Sequence, residues 1–153
     1  MTNRWVPAIG ALGALLLLAG CGQIPPVQTA HLTSVPIARH KTPWLKPLHV
    51  TVTNRHLVNT LYRDIRALKP FPSGTMSCPA DFGIDYTLKF KSKRRVVLTA
   101  TADPTGCSEV KLSTGQSLWG IGRAGQAFWA ALATTLDMKH VHDLWPRPPA
   151  SGP

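Results

Sequence analysis

The stretch Gly120-Ile121-Gly122-Arg123-Ala124-Gly125 spells G-x-G-x-x-G, the pattern by which a glycine-rich turn brings backbone N–H groups against a phosphate. That chemistry needs a βαβ unit, with a second parallel strand after the helix and an acid about 20 residues on. Downstream stand Pro146, Pro148 and Pro149, which leave no strand to complete the unit. The motif therefore reads as a turn feeding a helix, whose free N–H groups, assisted by Arg123, can at most hold a phosphate or carboxylate. Ser117 lies in Gly115-Gln116-Ser117-Leu118-Trp119-Gly120, which misses the G-x-S-x-G nucleophile elbow by one residue. His140, His142 and Asp143 have the composition of a weak Zn²⁺ or Cu²⁺ site. The two histidines share a face only in an extended chain, so no metal is expected. Asp81, Asp85 and Asp103 lie near cysteines and are expected in turn roles. No catalytic group or cofactor site emerges, and the chain is expected not to be an enzyme.

A second chemistry is purely electrostatic. Lys89, Lys91, Lys93, Arg94 and Arg95 cluster about one turn, with Lys111 expected on the neighbouring strand. The whole chain carries 17 Lys+Arg against 7 Asp+Glu, a formal charge of +10. Such a patch suits anionic lipid headgroups or acidic envelope polymers. Lysines on a hairpin also guard it against edge-to-edge pairing. Nucleic acid is not expected, because a strand-binding surface wants interleaved exposed aromatics. Tyr86 and Phe90 fall on the opposite, apolar face of the strand.

The chain has three cysteines, Cys21, Cys78 and Cys107. The first ends an N-terminus that runs MTNRWVPAIGALGALLLLAGCGQ, with Arg4 before an apolar run from Ala8 to Leu17. This is the layout of a secretory signal. The run is too short to span about 30 Å of hydrocarbon, which takes roughly 20 residues. Leu18-Ala19-Gly20-Cys21 resembles the lipobox of bacterial prolipoproteins at every position. The resemblance covers the first 21 residues alone. It implies cleavage between Gly20 and Cys21 and a diacylglyceryl group on the Cys21 thiol. Two acyl chains give stable anchoring where a single one is marginal. Cys78 and Cys107 then remain, and an even number of cysteines in an exported chain implies a disulfide.

These residues must be positioned by a small fold. Residues 1–20 are read as the lipoprotein signal peptide and 21–47 as a Pro-rich tether, with Pro25, Pro26, Pro36, Pro43 and Pro47. Residues 48–138 form the domain, and 139–153 a Pro-rich disordered tail. Within the domain Leu48, Val50 and Val52 alternate as a half-buried strand. Thr53 or Asn54 caps a helix with the stripe Leu57, Val58, Leu61, Tyr62, Ile65 and Leu68. Tyr86, Leu88 and Phe90 share one strand face, and Val96, Leu98, Ala100 and Ala102 continue it after a turn at residues 91–94. Glu109 to Ser113 is a third strand, Gln116 to Trp119 a short edge, and Ala124 to Leu136 a second helix. The fold class is α+β: a small antiparallel sheet of three to five strands, two helices packed on one face, and one disulfide.

The function expected is that of a lipid-anchored lipoprotein facing outside the cytoplasm, a non-enzymatic binding or accessory module of the cell envelope. Its partners are the membrane, through the lipid on Cys21, and an anionic envelope polymer or envelope protein. The alternative is a small protease-inhibitor or immunity-type domain, with Pro72 to Cys78 or Pro104 to Cys107 as its reactive loop.

Overall fold

The computed structural model describes residues 26–36 and 47–145. The lipobox, with Gly20 and Cys21, lies outside the described residues. Among those described, no helix is long and apolar enough to cross a membrane.

The described residues form seven strands and two helices: β1 (Thr29–Pro36), β2 (Leu48–Val52), α1 (Arg55–Arg66), β3 (Lys69–Pro70), β4 (Ile84–Ser92), β5 (Arg95–Ala102), β6 (Glu109–Leu112), β7 (Ser117–Trp119) and α2 (Gly122–Thr135). A 3₁₀ turn, Val141–Leu144, follows. The strands form one antiparallel sheet in the order β2-β1-β4-β5-β6-β7-β3. The α+β class, the antiparallel sheet with two helices and the disulfide follow the expectation; the strand count of three to five does not.

Period-two alternation decides which sheet face is covered. Ala30 and Leu32 of β1, Ile84, Tyr86, Leu88 and Phe90 of β4, and Leu98, Ala100 and Ala102 of β5 are all buried. They join Val58, Leu61, Tyr62 and Ile65 of α1 and Phe128, Trp129 and Leu132 of α2 in one apolar core. At about 25 cal/mol per Å² of apolar surface, each large side chain buried here contributes roughly 1.5–3 kcal/mol before entropy is counted. α1 starts where expected, because the Asn54 side chain accepts from the backbone N–H groups of His56 (3.0 Å) and Leu57 (3.3 Å). It ends with Arg63 and Arg66 in its last turn, where cations complement the helix dipole. The Tyr62 and Phe90 rings meet edge to face with their centres 5.3 Å apart, tying α1 to β4.

Four expectations are corrected. The largest concerns β1, which lies inside the segment read as a tether and is a central strand, pairing with both β2 and β4. Among residues 29–34 the buried apolar side chains are Ala30 and Leu32, Pro36 ends the strand and Pro26 stands shortly before it, so its own sequence signal is weak. Its neighbours hold it in place. Second, the segment after Met138 does not begin a disordered tail: Leu144 is fully buried, and the Tyr86 hydroxyl donates to the Leu144 carbonyl at 2.8 Å. Burial pushes that phenol up to about 12.

Third, Val96 is turned outward. The β4–β5 register slips after Phe90↔Leu98, so that Lys91 opposes Val96 and Val97 is the extra residue of a bulge. Val96 is 52% exposed as a result. Fourth, β7 is not the sheet edge, because β3 pairs outside it. That edge is two residues long and contains Pro70, which has no N–H to offer a neighbouring chain.

Candidate functional site on the open face of the sheet

The face away from the helices carries His49 and Thr51 on β2, His31 and Thr33 on β1, and Thr87 and Lys89 on β4, with Thr99 on β5. Among the described residues no further layer covers it. Its two ends carry opposite charge.

At one end stands the β4–β5 turn. Lys89, Lys93, Arg94 and Arg95 are exposed, and Lys91 is half-buried. Among the described residues, none of the five is in an ion pair. The turn is held from the side: the Gln28 N–H donates to the Lys91 carbonyl, and the Lys93 N–H donates to Gln28 Oε1, both at 2.9 Å. Lys93 adopts φ of 52°, the left-handed conformation a tight hairpin asks of one residue. Lys111 does not join this group. It sits on β6 opposite Thr101, and its ammonium is 3.3 Å from Glu109.

At the other end the structure brings together acids that are scattered in sequence. Asp81, Asp85, Asp103 and Glu109 line one hollow with Thr101 and Lys111. Asp81 accepts from the Gly83 N–H at 2.6 Å, and Asp103 from the Thr105 N–H at 2.8 Å, which are turn roles as expected. Asp85 differs: it lies within β4, not in a turn. The Thr105 Oγ1 is 2.7 Å from Asp103 Oδ1 and 3.1 Å from Asp81 Oδ1, so one hydroxyl links the two loops. Burial, then the charges of Asp103 and Asp81, raise the Asp85 carboxyl above its usual range, with Lys111 acting against them. Burial likewise raises Asp103, against two hydrogen bonds from Thr105.

A raised folded-state pKa means that the native state takes up protons before the unfolded chain does. Stability then falls as pH rises through that window. Asp85→Asn is therefore expected to raise the thermal midpoint at pH 7 by a few degrees. The gain should shrink as pH falls towards the unfolded carboxylate value of about 3.9. Calorimetry at several pH values checks this, and an unchanged midpoint at pH 7 contradicts it.

The same corner holds the disulfide. Cys78 and Cys107 are bridged, with Cα atoms 4.9 Å apart across 29 residues. Beside it the Gly106 N–H donates to the Ala80 carbonyl and the Phe82 N–H to Thr105 Oγ1. Pro104 and Thr105 are buried in this arrangement, so Pro104 to Cys107 does not protrude as a reactive loop. Residues Ser73, Gly74 and Thr75 of the other loop are exposed.

The G-x-G-x-x-G glycines have a packing role. A Cβ on Gly125 would fall on the carbonyl of Gly120, and one on Gly120 would stand 2.6 Å from the Ser108 carbonyl oxygen. The Trp129 indole N–H donates to the Gly120 carbonyl at 2.8 Å. β7 pairs antiparallel on both sides, and a 3₁₀ turn rather than a strand follows α2. The dinucleotide geometry does not arise. At the start of α2, Ile121 supplies no capping hydrogen bond and Arg123 is exposed beside an apolar hollow of Trp119, Ala124 and Ala127.

His140 and His142 stack with ring centres 4.9 Å apart, while Asp143 accepts from the His140 N–H at 2.9 Å. Their roles are local to the 3₁₀ turn. Among the described residues no group of three or more His, Cys, Asp or Glu side chains is placed to hold a metal ion.

The alternation along β4 puts Lys89 on the face opposite Tyr86 and Phe90 as expected, whereas Asp85, expected in a turn, joins that face only because β4 begins at Ile84. Nothing local in the sequence announces that Asp81 and Asp103, 22 residues apart, converge. No family model, no curated protein and no solved structure matches the chain.

Proposed function

We propose that this chain is a lipid-anchored extracytoplasmic lipoprotein, a non-enzymatic binding or accessory module of the cell envelope. The observation that carries the reading is Leu18-Ala19-Gly20-Cys21 directly after a short apolar run. The pairing of Cys78 with Cys107 supports it, because Cys21 is left outside the bridge. A disulfide-braced domain also fits a compartment where thiols are oxidised. The working surface is the basic hairpin of Lys89, Lys91, Lys93, Arg94 and Arg95, whose charges have no internal partner among the described residues. Anionic envelope polymers and acidic envelope proteins are within its reach chemically.

Cys21→Ser in the full chain is expected to move the protein from the membrane fraction to the soluble fraction or to leave it unprocessed. Unchanged membrane fractionation with the normal mature mass in the variant would sink the reading.

A second reading, an inhibitor or immunity-type domain, rests on the exposed segment Ser73 to Thr75, whose loop the Cys78–Cys107 bridge braces. Stoichiometric inhibition of an extracellular protease, lost with Gly74→Pro, would favour it.

A further inference from the structure

We propose that the β4–β5 hairpin tip docks on anionic phospholipid headgroups of the very membrane that holds Cys21, with the acidic corner turned away. This rests on the reading of Cys21 as the lipidated residue. The first ground is chain length. Val27 is already in the core, 2% exposed, so only Gly22 to Pro26 separate it from the anchor. At no more than about 3.6 Å per residue, the anchor lies within roughly 20 Å of Val27 however the segment runs. A tether to Pro47 would have left the domain free to turn; one that ends at Val27 does not.

The second ground is where the chain enters. Gln28 is hydrogen-bonded to Lys91 near the end of β4 and to Lys93 in the turn itself. The basic tip is thus the part of the domain beside the anchor. A surface so close to an acylated residue faces the bilayer before it can meet a distant polymer or protein.

The third ground is the surface itself. Lys93, Arg94 and Arg95 are exposed at the tip, and the bulge turns Val96 out beside them. Cations flanking an exposed apolar side chain suit the headgroup region, where charge and burial act together. Arg55 stands at the same end, since Val52, Ala30, Phe90 and Leu98 lie across the sheet in one row. Asp85 is at the far end of β4, eight residues from Lys93. At about 3.3 Å per residue that is roughly 25 Å, about three Debye lengths at physiological salt. The acids neither neutralise the tip nor approach the lipid surface.

The test is hydrogen exchange by mass spectrometry on the full mature lipidated protein. It would be reconstituted in vesicles rich in phosphatidylglycerol and, separately, in phosphatidylcholine alone. Amides of Ser92 to Val97 are expected to exchange roughly fivefold more slowly or better on the anionic vesicles, while those of Asp81 to Tyr86 stay the same. The protection should vanish at about 1 M salt, where the Debye length is about 3 Å. It should also vanish in Lys93→Glu/Arg94→Glu/Arg95→Glu, whose unchanged exchange at Asp81 to Tyr86 reports that it is folded. Equal hairpin exchange on both vesicles overturns the proposal. So does protection that arises only when an anionic wall polymer or an envelope protein is added. The intact mass of the same sample separates the two readings: a mature chain without acyl mass removes the anchor itself, whereas an acylated chain with an unprotected hairpin removes only the docking.

Discussion

Gly125→Ala is expected to destabilise the domain by about 3 kcal/mol or more, although it adds one methyl group and replaces a poor helix former with a good one. Ordinary helix propensity points the other way: in an exposed helix interior the exchange gains about 1 kcal/mol. Contact decides. The added Cβ falls on the Gly120 carbonyl, which is backbone and already accepts from the Trp129 indole. Gly120 cannot retreat, since its N–H donates to the Ser108 carbonyl at 2.8 Å and its own Cα side faces that oxygen and the Trp129 ring. Relief requires α2 to lift from β7, which uncovers Phe128 and Trp129, both buried. Urea unfolding of Gly125→Ala beside Ala127→Gly, an exposed site on the same helix, separates packing from propensity. A Gly125→Ala protein as stable as the parent contradicts this account of the corner.

Loss of the disulfide has the next largest effect. Cys78→Ser/Cys107→Ser is expected to cost about 3–4 kcal/mol in the chain-entropy model for a bridge across 29 residues. For a domain of this size that is roughly a 15–25 °C fall in the midpoint. The folded state should survive in outline at low temperature. Gly106 to Ala80, Phe82 to Thr105, and Thr105 to Asp81 and Asp103 still stitch the two loops together without the sulfurs. The effect therefore falls on the unfolded chain and on the loop from Phe71 to Gly83, more than on the sheet. A double variant melting within a degree or two of the parent would show that these hydrogen bonds alone close the corner.

Local patterns carried the reading of the sequence as far as they reach. The stripe of α1, the Asn54 cap and the alternation of β4 depend on neighbours a few residues apart, and each appears in the fold as expected. β1 was not legible, because among residues 29–34 its buried apolar side chains are Ala30 and Leu32 and the strand ends on a proline; it is a strand through pairing with β2 and β4, 14 to 62 residues away. Leu144 was hidden for a related reason: its partner, the Tyr86 hydroxyl, is 58 residues off. Val96 leaves the apolar face because a bulge interrupts the period of two that the sequence alone shows. At the candidate site the basic turn could be read directly, since its residues all fall between Lys89 and Arg95. Its place beside the chain's entry could not, because that depends on Gln28. The acidic corner is a product of the disulfide and of two turns brought together. Spacing alone gives no sign of it.

Whether Cys21 is the anchor is read from the intact mass of the protein purified from its own envelope. The expected chain begins at Cys21, carries added acyl mass on that residue, and is two hydrogens lighter for the Cys78–Cys107 bridge. A mature chain of bare polypeptide mass, or one that still begins at Met1, would contradict it.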